Sequence, residues 1–130
     1  LPLYSEEFYT LLRRHLTDRG VVVTWSYSRY AFPQHRKAYM NTVGAAGFDH
    51  YLSYQTYDNL TADPGRELAE GFYILSPGPR PQLRPNRSES AYVRRLSERF
   101  ADRQWRTVPH YDGIRVNSVF HPNYAIIVDY

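Results

Sequence analysis

Three features of this 130-residue chain predict an α/β fold. Leu3 to Trp25 reads as an amphipathic helix followed by an apolar strand. A second helical stretch runs from about Pro33 to Val43, and strand-like runs at Phe48 to Asn59 and Gly71 to Ser76 follow it. A helix, a tight turn and an apolar β-branched strand together make half of a βαβ unit, the building block of a parallel sheet.

Each element has its own reason. Phe8, Leu11, Leu12 and His15 or Leu16 recur at the three- and four-residue spacing of one helix face. Ser5 is suited to cap that helix, with Glu6 and Glu7 in the first turn where the dipole favours anions. Arg13, Arg14 and Arg19 crowd the other end, His15 is placed to partner the C-terminal dipole, and Gly20 is expected as the residue that stops the helix. Val21, Val22 and Val23 form a run expected to be covered on both faces.

Pro33 fits the first turn of the second helix. Gly44-Ala45-Ala46-Gly47 sits at the end of that helix and just before a strand, so it reads as a C-cap and not as a phosphate-binding loop. Tyr51, Tyr54 and Tyr57 mark the next strand as aromatic. Ser76 to Arg87 (SPGPRPQLRPNR) is a proline-rich linker that excludes regular helix or central strand. A third amphipathic helix is expected from Ser88 or Glu89, with Tyr92, Val93, Leu96 and Phe100 on one face. The chain ends in Tyr124-Ala-Ile-Ile-Val-Asp129-Tyr130, which reads either as a terminal strand or as the start of a helix.

Composition bounds the function. Hydrophobic residues make up 42% and charged residues 22%, the balance of a globular domain with a real core. There is no cysteine, which excludes disulfides and thiolate metal sites and fits a reducing, cytoplasmic location. No apolar run approaches the ~20 residues that span a bilayer. The net charge of +3 rests almost wholly on arginine, Lys37 being the single lysine, and the chain shows no folded nucleic-acid motif.

Four stretches carry a resemblance. Leu3-Tyr4-Ser5-x-x-Phe8-Tyr9 with its leucine-rich helix and valine strand resembles the later half of the spermidine synthase (polyamine aminopropyltransferase) family, in particular its bacterial, membrane-fused branch. Ala45-Ala46-Gly47-Phe48 and Glu70-Gly71-Phe72-Tyr73-Ile74-Leu75-Ser76 are similar to family segments in the same order. Val116-Asn117-Ser118-x-Phe120 resembles the branch's closing Asn-Thr-Leu segment. The match is good over residues 3–76, loose over 114–130 and slight over 77–113.

The resemblance implies the C-terminal portion of a Rossmann-like class I methyltransferase-type sheet: a parallel strand, a helix, an edge pair of antiparallel strands and a C-terminal helix–strand extension. It divides the chain into 1–76, the later half of the Rossmann-like domain, 77–87, the Pro/Arg-rich linker, and 88–130, the extension. In the family the glycine-rich loop, the acidic residue that grips the ribose and the catalytic aspartate lie upstream of the Leu-Tyr-Ser helix. The resemblance therefore implies a half-domain that holds no cofactor, with decarboxylated S-adenosylmethionine as co-substrate of the full enzyme. A small polyamine and the missing half are the implied partners, with no nucleic acid and no membrane segment in this chain. An exposed sheet edge would favour association into a homo-oligomer.

Ligands of doubly wound sheets bind at the carboxyl ends of strands, which here begins at Thr24. In the family a glutamine at this point contacts the amine; Trp25 stands in its place. Tryptophan stacks on an ammonium but offers no acceptor. Trp25, Ser26 and Tyr57 are the residues that would line the amine side. Trp25, Tyr27 and Tyr30 read equally well as packing of the strand end. Asp58, Asp63, Glu67 and Glu70 give the following loop negative charge, useful to a polyamine and equally the mark of a solvated loop.

No self-sufficient catalytic constellation is present in the sequence. The histidines, at 15, 35, 50, 110 and 121, show no metal-ligand spacing, and His110 with Asp112 or His121 with Asp129 are the nearest approaches to one. Ser26 and Ser28 lack a nucleophile elbow. Two functions follow: the amine side of an aminopropyltransferase, or a non-catalytic remnant that serves as a protein-interaction module.

Overall fold

The computed structural model describes residues 4–27, 33–55, 70–78, 84, 87–101 and 105–122. In chain order these form helix α1 (Glu6–Arg14), strand β1 (Val22–Tyr27), helix α2 (Pro33–Ala45), strands β2 (His50–Gln55) and β3 (Glu70–Ser76), helix α3 (Ala91–Ala101) and a short strand β4 (Arg106–Thr107). The fold is α/β. Among the described residues no helix is long and apolar enough to cross a membrane.

α1 begins as its sequence dictates. Ser5 is extended and its Oγ accepts a hydrogen bond from the Phe8 amide at 3.2 Å, satisfying one of the unpaired donors of the first turn. Its end differs from expectation. The helix stops at Arg14 with His15 as C-cap, whose Nδ1 lies 2.9 Å from the Leu11 carbonyl. Gly20 instead closes a separate turn, its amide donating to the Thr17 carbonyl at 3.0 Å. Thr17 and Asp18 favour such local turns over further helix.

α2 ends as the sequence predicts. Gly47 has φ +95°, its amide donates to the Gly44 carbonyl at 3.0 Å, and the Phe48 amide donates to the Val43 carbonyl at 3.1 Å. This is a Schellman closure with Gly47 in the left-handed position, and its usual apolar contact is supplied by the fully buried Val43 and Phe48.

The sheet order is β1-β3-β2-β4, and every pairing is antiparallel. Val22 faces Leu75 on β3, and Leu75 faces Tyr51 on β2. Because β1 and β2 are both antiparallel to β3, they run in the same direction with β3 between them. The β2–β3 pair forms as expected, but not at the edge: β3 uses both its hydrogen-bonding sides, and the edges are β1 and β4. The valine run also differs from expectation. Val22 packs against the core with residues of α1 and α2, whereas Val23 is 61% exposed, because alternate residues of a strand face opposite sides.

The core is unusually phenolic. Tyr9, Tyr39, Met40, Val43, Phe48, Tyr51, Tyr73 and Leu75 are buried together, with Phe8 and Leu12 from α1 and Leu16 just beyond it packed on them. Tyr9 sits edge-on to Tyr39 (5.9 Å between centroids) and to Phe48 (6.3 Å), and Tyr39 lies 5.1 Å from Tyr73. Such pairs add to the area they bury. Leu52 and Ile74, opposite each other in the register, are buried on the other face of the sheet.

Two buried asparagines tie the late chain to the early one. The Asn41 side chain donates to the carbonyls of Tyr111 (2.8 Å) and Ile114 (2.9 Å) and accepts from the Tyr111 amide (2.8 Å). Asn117, 2% exposed, donates to the Tyr4 carbonyl at 2.9 Å, and its own carbonyl accepts from the Glu6 amide at 2.8 Å.

α3 starts at Ala91 with Ser90 as its cap, slightly later than Ser88 or Glu89. Tyr92 (56%) and Val93 (37%) at the start of its apolar stripe are exposed. An apolar stripe fixes a face but not what covers it. Residues 123–130, including the expected terminal strand or helix, lie outside the described residues, as do Tyr30 and Tyr57.

Candidate functional site

The carboxyl end of β1 is where this topology gathers residues with binding chemistry. Trp25 and Ser26 are consecutive in β1, paired in register with Phe72 and Gly71 of β3. Tyr27 is opposite Glu70, the first residue of β3, and Gln55, the last residue of β2, is opposite Gly71. Trp25, Ser26, Glu70 and Gln55 therefore share one end of the sheet across three adjacent strands. Of the expected site residues, Trp25 and Ser26 lie at this end as sequence neighbours in β1. Asp58, Asp63 and Glu67 join Tyr57 outside the described residues.

Next to Trp25 the structure supplies a polar thread into the core. The Thr24 hydroxyl lies 3.3 Å from the Tyr9 hydroxyl, which in turn donates to the Tyr39 hydroxyl at 3.5 Å. Burial pushes the Tyr9 phenol above its usual range, with the Thr24 and Tyr39 hydrogen bonds opposing that shift. Tyr39 is pushed well above the usual range, again chiefly by burial. Both phenols are thus neutral at physiological pH and can act as donors, not as bases. The helical spacing did not single out this pair: it put Phe8, Leu11 and Leu12 on one face of α1, whereas Tyr9 is fully buried and Leu11 is 44% exposed.

The opposite end of the strands carries a cleft of about 520 Å³ between the C-terminus of α2, the start of β2 and the 107–110 segment. Asp49, His50 and His110 line it. His110 Nε2 lies 3.3 Å from an Asp112 carboxylate oxygen, the one approach anticipated between these residues; both side chains are open to solvent. Among the described residues no group of three or more His, Asp or Glu side chains is arranged to hold a metal ion.

No family model and no solved structure matches the chain. Among curated proteins, a polyamine aminopropyltransferase of Corynebacterium efficiens is 36% identical over 84 residues. That stretch is 63% of this chain and 16% of the relative, so the similarity is to a small part of a much longer enzyme.

Proposed function

We propose that this chain forms the amine side of a spermidine synthase-like aminopropyltransferase whose S-adenosyl-binding half lies in residues beyond these 130. The observation that carries this reading is the 36% identity over 84 residues to a polyamine aminopropyltransferase. The sheet is compatible with it. The antiparallel β2–β3 pair that the resemblance implies is present, although β3 lies between β1 and β2 and not at the sheet edge. The membrane-fused branch of the family and a cytoplasmic site of action belong to the same proposal.

In this reading a diamine lies at the carboxyl end of β1, with Trp25, Ser26 and Tyr57 along it. An unprotonated nitrogen of the diamine attacks the activated methylene of decarboxylated S-adenosylmethionine, the co-substrate. This chain's share is to orient the amine, which converts a bimolecular encounter into a positioned one. Glu70, in register opposite Tyr27 at the same end, provides a carboxylate within the segment that would draw a cationic amine. One observation favours a second reading, a non-catalytic remnant that acts as a protein-interaction module. By the resemblance, Trp25 stands where the family's amine-binding glutamine would, and it supplies a ring face in place of an acceptor.

The deciding experiment is calorimetric titration of this chain, and of the longest natural form that contains it, with putrescine, spermidine and methylthioadenosine. Binding of nucleoside and amine together by the longer form alone supports the enzyme. Two folded forms that bind neither ligand leave the interaction module.

A further inference from the structure

Among the described elements, α3 has no extensive packing against any helix or strand. Its sequence is nevertheless amphipathic, with Tyr92, Val93, Leu96 and Phe100 at the three- and four-residue spacing of one face. Tyr92 and Val93, which begin that stripe, are both exposed. Arg94 and Arg95 are exposed as well, and with Arg99 they outnumber the single acidic residue of the helix, Glu98. Arg94 donates to the carbonyls of Ser88 and Glu89, both at 2.8 Å, which holds its guanidinium at the helix start without neutralising it. The charge extends beyond the helix. Residues 80–106 hold eight arginines against Glu89, Glu98 and Asp102, a net charge of +5 in a chain whose total is +3. The rest of the chain is therefore net acidic, and the positive charge is concentrated around α3.

We propose that α3 lies flat on an anionic lipid bilayer, its apolar stripe toward the acyl boundary and its arginines on the lipid phosphates. A basic amphipathic helix suits such a surface, and lying on a bilayer, unlike spanning one, asks for no long apolar segment. Nucleic acid would meet the arginines and leave the apolar stripe in water. A protein groove would bury the stripe but take the helix alone. The charge continues through Arg84 and Arg87 before the helix and Arg106 after it, all exposed. A planar anionic surface meets both features. A stripe this short binds lipid weakly without charge, so the two contributions are needed together. This role does not depend on the aminopropyltransferase reading.

The test is sedimentation of the full chain with phosphatidylcholine vesicles, alone or containing about one-quarter phosphatidylglycerol. Binding to the anionic vesicles is expected, with little to the neutral ones, and it should weaken as salt is raised. Arg87→Gln with Arg95→Gln, both at exposed positions, should weaken it by roughly tenfold or more. Tyr92→Ser with Val93→Ser should weaken it by roughly tenfold while leaving binding to heparin, which reads charge alone, unchanged. Circular dichroism checks that each variant is folded. Equal binding to the two kinds of vesicle, or a folded serine variant that binds as the native chain does, overturns the proposal. So does a folded native chain that ignores both kinds, which leaves the stripe to a protein groove.

Discussion

Glu7 and Ser118, 111 positions apart, meet through a hydrogen bond of 2.6 Å from the serine hydroxyl to one carboxylate oxygen. The other oxygen accepts from the Val119 amide at 3.0 Å. The first turn of α1 thus holds the 117–119 segment from both sides, since Asn117 also bonds to Tyr4 and Glu6. The Ser118 bond, followed in weight by the opposing effect of partial burial and then by the Val119 amide, keeps the Glu7 carboxyl below its usual range.

A lowered carboxyl pKa fixes the sign of one pH effect. The ionised form is favoured in the folded state, so its contribution is complete above the unfolded value of about 4.3 and is lost as pH falls through the lower folded value. Glu7→Gln should therefore destabilise the chain by about 1 kcal/mol near pH 7, allowing for solvent screening, and make its acid unfolding less steep. Urea unfolding at pH 7 and pH 3 measures both.

Asn41→Leu removes two donated hydrogen bonds and one accepted bond while leaving the Tyr111 amide and the Tyr111 and Ile114 carbonyls without this partner. A loss of about 3 kcal/mol is expected. Hydrogen exchange should show the 111–114 amides losing protection before the β2–β3 amides do.

Gly47→Ala places a Cβ at φ +95° and 2.6 Å from Arg13 Nε. The guanidinium can move aside, but the backbone conformation cannot be relieved without opening the α2 cap. The expected cost is about 1–2 kcal/mol, measured as a lowered Tm.

The buried phenols set the alkaline limit. For Tyr9 and Tyr39 the neutral form is favoured on folding. Their contribution is complete below the unfolded pKa of about 10 and disappears as pH rises through the higher folded values. Ultraviolet titration should show exposed tyrosines ionising first, with Tyr39 following only as the far-ultraviolet dichroism is lost. Coincident ionisation of all tyrosines before unfolding would contradict this.

Trp25→Gln restores an acceptor and a donor at the strand end. On the proposed function, putrescine affinity of the longest natural form should rise by roughly threefold to tenfold, the worth of one good hydrogen bond. Unchanged affinity in a folded variant argues for the interaction module.

Much of the local structure was legible because its causes are local. Ser5 capping α1, Gly47 closing α2, Pro33 opening it and the strand at 70–76 all follow from side-chain or backbone preferences within one turn. Val23 was misread because a β-branched run reports strand propensity, and burial depends on which neighbours the sheet supplies. Gly20 was misread because a glycine several residues past the last periodic position can serve a turn of its own. At the candidate site, the adjacency of Trp25 and Ser26 is a matter of sequence, whereas their alignment with Glu70 and Gln55 is a matter of register across β3.

By itself the sequence determined most of the helix and strand segments and the caps at Ser5 and Gly47, since each is written in short-range patterns. Tertiary structure alone decided that β3 lies between β1 and β2, that Tyr9 and Tyr39 meet beneath Thr24, and that Glu7 and Asn117 close the chain on itself. These contacts join residues 15 to 113 positions apart. No local preference encodes such pairings; they form because buried hydroxyls, amides and strand edges must each find a partner once the core excludes water.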